Sequence, residues 1–420
     1  MSTPSLLNIP YLYKAGTLYS QIPESGAGDF TVTRATTPTA GQSTRINKNG
    51  LIELVADNVP RLDYPLGGAV NGCPALLVEP SAQNLVPSGL TFNSSAGVLY
   101  DTTVTGSPAV SINSARITKN EASGTIRYAN QNCSTNALSA STTYTISRFF
   151  KYDGVDFATS MEYNSSTQWG NVSWNQAINI ASTGVTLGTS TSCTGSVENY
   201  GNGWYRVSVR LTTGASPTGS PVTYLMRLPA ALSTGQGFLT ALPQFETGSV
   251  ATSYIPTTTQ AITRGADVIS RTSASALIGQ TEGTFYLDLT ALSKSSGSTR
   301  WLQIFGASNN IGLAMNASNQ FRSIVNTQSD TLSTAPLISS GVKVAWAYDG
   351  TGTTCFINGT QYTLTNGGNQ TMSSLTSLTI SGSDNPQLAN ARIRALALYP
   401  NRIPNTAGAG VLSLATLTAP

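Results

Sequence analysis

The chain has 420 residues, of which 40% are hydrophobic and only 10% are charged. That length admits two or three domains, and the apolar share is enough for real cores, which argues against a disordered polyampholyte. A net charge of +3 without any basic run lacks the Lys/Arg patch of a nucleic-acid binder, and no stretch approaches the roughly 18 apolar residues of a membrane span.

Ser, Thr, Asn, Gln and Gly fill much of the remainder, with 39 glycines and 20 prolines. Such residues favour turns and strand faces over helix interiors, so an all-β fold is expected. The N-terminus, "MSTPSLLNIPYLYKAGTLYS", has no basic start followed by a long apolar core. It is therefore read as lacking a secretory signal, in a protein made in a cytoplasm that does not leave by the usual export route.

Residues 1–86 are irregular and punctuated by Pro and Gly. Within them "NKNG" signals a turn, "LIELVA" a short strand, and "PALLVEP" a buried strand bounded by prolines. These pieces are too short to close a core alone and are expected to lie against something else.

From 87 to 262, candidate strands recur about every ten residues, the spacing of a sandwich. "TYTISRFFKY" (143–152) is expected to turn Tyr144, Ile146 and Phe149 inward. "GWYRVSVRLTT" (203–213) sets Tyr205, Val207, Val209 and Leu211 against Arg206, Ser208 and Arg210, the alternation of a half-buried strand.

From 263 to 420 the pattern restarts. About eight strands follow, from "GTFYLDLTAL" to "ARIRALALYP", with Asn358-Gly359 as a two-residue hairpin signal. The tail "NTAGAGVLSLATL" has room for a helical turn or two. The organisation expected is an irregular segment, 1–86, followed by two antiparallel β-sandwich domains, 87–262 and 263–420.

There are 0 histidines, which removes Ser-His and Cys-His nucleophiles and histidine metal ligation. Cys73, Cys133, Cys193 and Cys355 show no CxxC spacing; buried thiols are expected, with a Cys133–Cys193 pair as the alternative. The nearest approach to a glycosidase carboxylate pair is Glu282 and Asp288 in "TEGTFYLDL". They lie about 20 Å apart along an extended strand, too far to act together. No catalysis, no metal and no cofactor are expected from these residues.

Two blocks resemble bacteriophage tail-fibre and appendage proteins. "TRATTPTAGQSTRINKNGLIELVADNVPRLDY" with "CPALLVEPSAQNL" is similar to their N-terminal block. "GNGWYRVSV" followed by "QFETGSVATSYIPTTTQAITRGADV" is similar to a strand and linker found in the same group. From 263 onward, "VAWAYDGTGTTCFINGTQ" and "ARIRALALYPNRIP" resemble a concanavalin-like, laminin-G-type sandwich, and the middle sandwich is read as carbohydrate-binding-module-like (jelly-roll). Together the resemblances touch most of the chain.

The resemblance implies a virion structural protein, assembled in the bacterial cytoplasm, whose segment 1–86 attaches it to other virion proteins. Adhesion to a host-surface glycan and a homotrimer are the expected partnerships. A capsid-decorating or head-fibre protein is the nearest alternative, with a glycan depolymerase or a cellular lectin further off. Candidate sugar-stacking platforms are Trp169, Trp174 and Trp301, although tryptophans more often serve as core. Asp384 and Asn385 stand in a loop where concanavalin-like sandwiches bind calcium or glycan, or else form a polar turn. Pro256 keeps its segment extended, which makes Tyr254, Ile255 and Pro256 candidate inter-domain or assembly anchors.

Overall fold

A computed structural model describes residues 3–419 apart from 40, 65–71, 88–90, 94, 135–137, 154–157, 166–167, 176–184, 189, 218–221, 294–298, 307–308, 317, 319, 333–340, 369, 371, 381–389, 407 and 409–411. Among the described residues are 33 strands and one short helix, Leu414–Leu417, capped by Ser413. The protein is all-β, built from antiparallel sheets stacked as sandwiches.

The middle sandwich uses only strands from its own stretch of chain. Its six-stranded sheet runs Val98–Val104, Ser114–Lys119, Gly237–Thr247, Thr143–Tyr152, Trp204–Thr212, Ser192–Gly201, and a five-stranded sheet faces it. Register assigns the two faces of the six-stranded sheet. Ile146 lies opposite Val209, and Tyr144 opposite Leu211, on the apolar face that packs into the core with Phe150 and Phe245. Alternate positions form a polar face: Thr194–Arg210–Thr145, Ser196–Ser208–Ser147 and Glu198–Arg206–Phe149 run across three strands as rows.

One inward assignment needs correction. Phe149 belongs to the outer face, where it packs with Trp204 and Tyr254, and the buried Arg148 points inward instead. The Arg148 guanidinium bonds Thr240 Oγ1 at 2.7 Å and lies 5.1 Å from the Phe92 ring centroid. Alternation locates the strand correctly, but an arginine satisfied by hydrogen bonds can occupy a core-facing position.

The C-terminal sandwich is assembled differently. Its eight-stranded sheet contains Gly283–Ser293, Gly341–Asp349 and Asn390–Tyr399, extended by Leu6–Asn8, Leu62–Asp63 and Ala75–Val78 from the start of the chain. The facing nine-stranded sheet likewise takes Tyr13–Lys14, Thr17–Leu18 and Phe30–Thr33. Leu6, Leu18, Phe30, Val32, Leu62, Leu76 and Val78 enter the same core as Phe285 and Trp346. The short N-terminal strands, too small to close a core, thus complete a distant one. The hairpin Ser43–Ile46/Ile52–Val55 stands apart and closes over the outer face of the middle sandwich, where Ile52 packs with Phe149 and Tyr254.

Cys355 is buried, but Cys73 is exposed and Cys193 half-buried, so the expectation of buried thiols holds for one of these three. The side chain of Cys133 lies outside the described residues.

Candidate functional site

The extended stretch 249–258 runs between the two sandwiches, and its neighbours come from all three parts of the chain. Asn84 shows how the local pattern works. Its Nδ2 donates to the carbonyls of Pro243 and Ile255 at 3.1 and 2.8 Å, and its Oδ1 accepts from the N–H groups of Val86 and Phe245. One asparagine therefore ties an N-terminal strand, a middle strand and the linker, with every partner a backbone group. The Ile255 N–H donates to Gln244 Oε1 at 2.7 Å, and Thr44 Oγ1 donates to the Tyr254 carbonyl at 2.5 Å. Tyr254, Ile255 and Pro256 are all buried within the chain. The wall that these candidate anchors pack against comes from within the chain.

Behind the linker lies a buried ionic node of three arginines and two carboxylates. Arg61 meets Glu79 at 2.7 Å and also pairs with Asp267; Arg34 meets Asp267 at 2.8 Å and Arg264 meets Glu79 at 2.8 Å. All five side chains are 0–2% exposed. Ser253 sits at the centre: its hydroxyl donates to Glu79 at 2.6 Å and accepts from Arg61 and Arg264. The Glu79 and Asp267 main chains also bond each other, N–H to carbonyl, at 3.0 Å.

Electrostatics keeps the node ionised. Burial alone would raise Glu79, but Arg264, Arg61 and two hydrogen bonds from Ser253 hold it well below the usual carboxylate range. Asp267 is lowered against its burial by Arg61 and Arg34. Burial would lower Arg61, and Asp267 and Glu79 outweigh it. Glu246 behaves oppositely. Its burial dominates the bonds from Thr252 and Gln244, and its carboxyl is raised.

The residues of the node come from the sequence blocks quoted above: Arg34 from "TRAT", Arg61 from "VPRLDY", Glu79 from "LLVEP", Ser253 from "TSYIPT", Arg264 and Asp267 from "TRGAD". Motifs separated by up to 233 residues converge on one place. Sequence reading found the blocks but not the node, because nothing in spacing reveals which distant charges meet.

Beside the node, a cavity of ≈ 120 Å³ opens between the hairpin, the 250–254 stretch and the Asn390–Tyr399 strand. Arg206, Tyr200, Glu198, Asn390 and the Asp63–Arg392 ion pair line it. A second space of ≈ 260 Å³ adjoins it at Glu198, Val250 and Ala251, and extends over Thr194, Ser196, Ser208 and Arg210.

The candidate residues named from sequence are placed elsewhere. Trp169 and Trp174 share one strand, paired to Asn164 and Thr159, and Trp301 lies in Thr299–Gly306; the side chains of all three fall outside the described residues. Asp384 and Asn385 lie outside the described residues entirely. Glu282 and Asp288 are not brought together: Glu282 accepts from the Arg402 N–H, whereas Asp288 pairs with Arg394.

No protein-family model matches the chain, and no curated protein matches it. Among solved structures it is similar to Trypanosoma rangeli sialidase, at 10% identity and a TM-score of 0.29 over 74% of this chain. The match spans 60% of the sialidase's length. Mouse laminin alpha1 chain domains LG4-5 match at 10% identity and a TM-score of 0.21, covering 77% of this chain and 89% of that one. A GH43 protein from Bacillus licheniformis matches at 9% identity and 0.21, covering 95% and 86%.

The expectation that the chain is not an enzyme is corrected by these matches, because sialidases and a GH43 protein stand among them. Its criterion was also too narrow: a search for histidines and paired carboxylates misses glycosidases with a tyrosine nucleophile. At these TM-scores the likeness assigns neither an activity nor a catalytic residue to this chain.

Proposed function

We propose that the chain is a virion structural protein of a tailed bacteriophage, a tail fibre or appendage that presents its sandwiches to host-surface glycans. The observation that carries this reading is the convergence of the phage-like blocks on the buried node. Arg34, Arg61, Glu79, Ser253, Arg264 and Asp267 join the beginning of the chain, the linker and the C-terminal sandwich through fully desolvated charge pairs. Such pairs fix one relative geometry, because removing either partner strands a buried charge. A display element needs that property, since it must hold a binding surface at a set position from the particle.

A homotrimer belongs to the same proposal. With 10% charged residues, little like-charge repulsion opposes close subunit contact. Localising the chain in an electron-microscopy map of purified particles tests the reading. Density at the tail supports it, density on the head shifts it to a capsid-decorating role, and absence from the particles overturns it. Light scattering on the purified chain tests the trimer, which a clean 43.8 kDa species would refute.

A further inference from the structure

The junction holds two kinds of polar surface within one small region. In the node, each charged group named above has a charged or hydrogen-bonding partner. On the neighbouring face of the six-stranded sheet, Thr145 donates to the Gly248 carbonyl and Ser147 accepts from Arg206, but the outer positions differ. Thr194, Ser196 and Ser208 make no side-chain hydrogen bond, and Glu198 and Arg210 form no ion pair, among the described residues. They occupy adjacent rows of one face, Thr194 opposite Arg210, Ser196 opposite Ser208 and Glu198 opposite Arg206. Thr194, Ser196, Glu198 and Arg210 are exposed, while Ser208 and Arg206 lie buried beside them toward the linker.

The inner end of this surface carries an independent signal. Asn390 is 6% exposed and lines the smaller cavity, yet its Oδ1 has no hydrogen-bond partner. Leaving a buried acceptor unsatisfied costs on the order of 1–3 kcal/mol, a penalty that a ligand or solvent donor would relieve. Tyr200 lines the same cavity, with its ring edge-on to Phe149 at 4.7 Å and its own side chain half-buried. The two spaces thus form a groove with an aromatic face and a buried acceptor at one end, and open hydroxyls with one acid and one guanidinium at the other.

We propose that this groove binds a neutral, hydroxyl-rich oligosaccharide, with one sugar unit seated against Tyr200 and Asn390 and the chain continuing over Ser196, Ser208 and Thr194. Sugar hydroxyls donate and accept at once, which matches a lining that mixes donors and acceptors. Charge argues against an anionic ligand. Arg392 is paired with Asp63 and Arg45 with Glu53, and Arg206 bonds Ser147 and lies opposite Glu198 in the register, so Arg210 is left as the single lining cation with no such counterpart among the described residues. A phosphate or polyanion site would carry an excess of cations. The inference rests on the glycan-adhesion reading and gives it a location different from the tryptophans.

The full-length chain is titrated with a panel of neutral bacterial O-antigen oligosaccharides and a matched uronate-bearing panel, by calorimetry. Saturable binding of a neutral member is expected, weakened at least tenfold by Glu198→Ala and by Arg210→Ala. Both residues are exposed, so an unchanged melting curve accompanies the loss. Binding that survives both substitutions unchanged overturns the groove while leaving glycan adhesion intact. Binding confined to uronates, or to neither panel, overturns the inference as well. Protection of the Ser192–Gly201 amides by an added peptide, with no sugar bound, would assign the edge to strand addition instead.

Discussion

The two sandwiches reach closure by different routes. The middle one takes all the strands of its two sheets from residues 98–247, some as consecutive hairpins and others by crossovers that set its early strands beside its last, as Ser114–Lys119 beside Gly237–Thr247. The C-terminal one takes six strands from the first 78 residues, with Leu6 paired to Leu398 across nearly the whole chain. A self-contained strand set makes a unit that folds alone. A borrowed set makes a unit whose stability depends on chain far away, and such non-local pairings also form slowly. The junction joins the two kinds, and each prediction below acts on one side of that difference.

Deleting residues 1–86 should have the largest effect. The sequence assigns this segment to attachment, with strands too short to close a core of their own. In the fold it supplies six strands and seven buried apolar side chains to the C-terminal sandwich, all of which the deletion strips. At about 1.5–3 kcal/mol for each fully buried side chain, the loss reaches ~10–20 kcal/mol, as large as the whole stability of a typical domain. Limited proteolysis should digest 263–420 and spare 98–247. Survival of both would mean that the borrowed strands are ornamental.

Breaking the node comes next. Glu79→Ala should destabilise the protein by about 3–5 kcal/mol, because it leaves Arg264 buried without its carboxylate and Arg61 with Asp267 alone; Arg61→Ala should cost less, since Glu79 keeps Arg264 and Asp267 keeps Arg34. Calorimetry should show the C-terminal transition falling toward or below that of the middle sandwich. Tyr254→Ala should cost about 3 kcal/mol through the cavity left among Phe149, Trp204 and Leu242. Since this wall lies within the chain, subunit association should be less affected than melting temperature, which light scattering and thermal denaturation on the same sample would separate.

Much of this was legible beforehand. The strand Trp204–Thr212 shows the expected faces, with Val207, Val209 and Leu211 in the core. Asn358-Gly359 forms a two-residue turn, both at positive φ, between strands that pair at Ile357 and Thr360. The tail yields its single helical turn. What stayed hidden were partnerships: alternation says which side of a strand is buried, but not what buries it. Arg206 was placed on the polar face, where it lies, yet it is 3% exposed because the linker covers that face. Asn390 and Tyr200 carried no signal at all, since an asparagine at a strand end and a tyrosine before a Gly-Asn-Gly turn are commonplace.

Acid should act on the node in a defined window. Glu79 and Asp267 have depressed values in the folded state, so their stabilisation is present above the ordinary values of 4.5 and 3.8 and is lost as pH falls through the folded ones. Stability should therefore decline below about pH 4.5. Glu79→Gln should already be destabilised at neutral pH and respond less to further acid, as denaturant midpoints across pH would show.

Glu246 offers the smallest effect and the sharpest contrast, being a second buried glutamate at the same junction with the opposite sign. Burial raises its folded value, so the stability linked to it is fully present below the ordinary 4.5 and is lost as pH rises through the raised folded value. Its Oε2 accepts from the Thr252 N–H at 3.0 Å and from Gln244 Nε2 at 2.7 Å, while its Oε1 accepts from the Thr252 hydroxyl. A glutamine can keep its oxygen at the first position and turn its amide toward Thr252 Oγ1, which is able to accept as well as donate. Glu246→Gln should thus preserve the local bonds while removing the penalty for a charge. The expected outcome is a gain at pH 7 and none at pH 4, limited by the lost attraction to Arg206. Urea denaturation at the two pH values measures it. A loss at pH 7 comparable to that of Glu79→Gln would mean that Glu246 is held ionised by Arg206, and that the node extends across the linker into the middle sandwich.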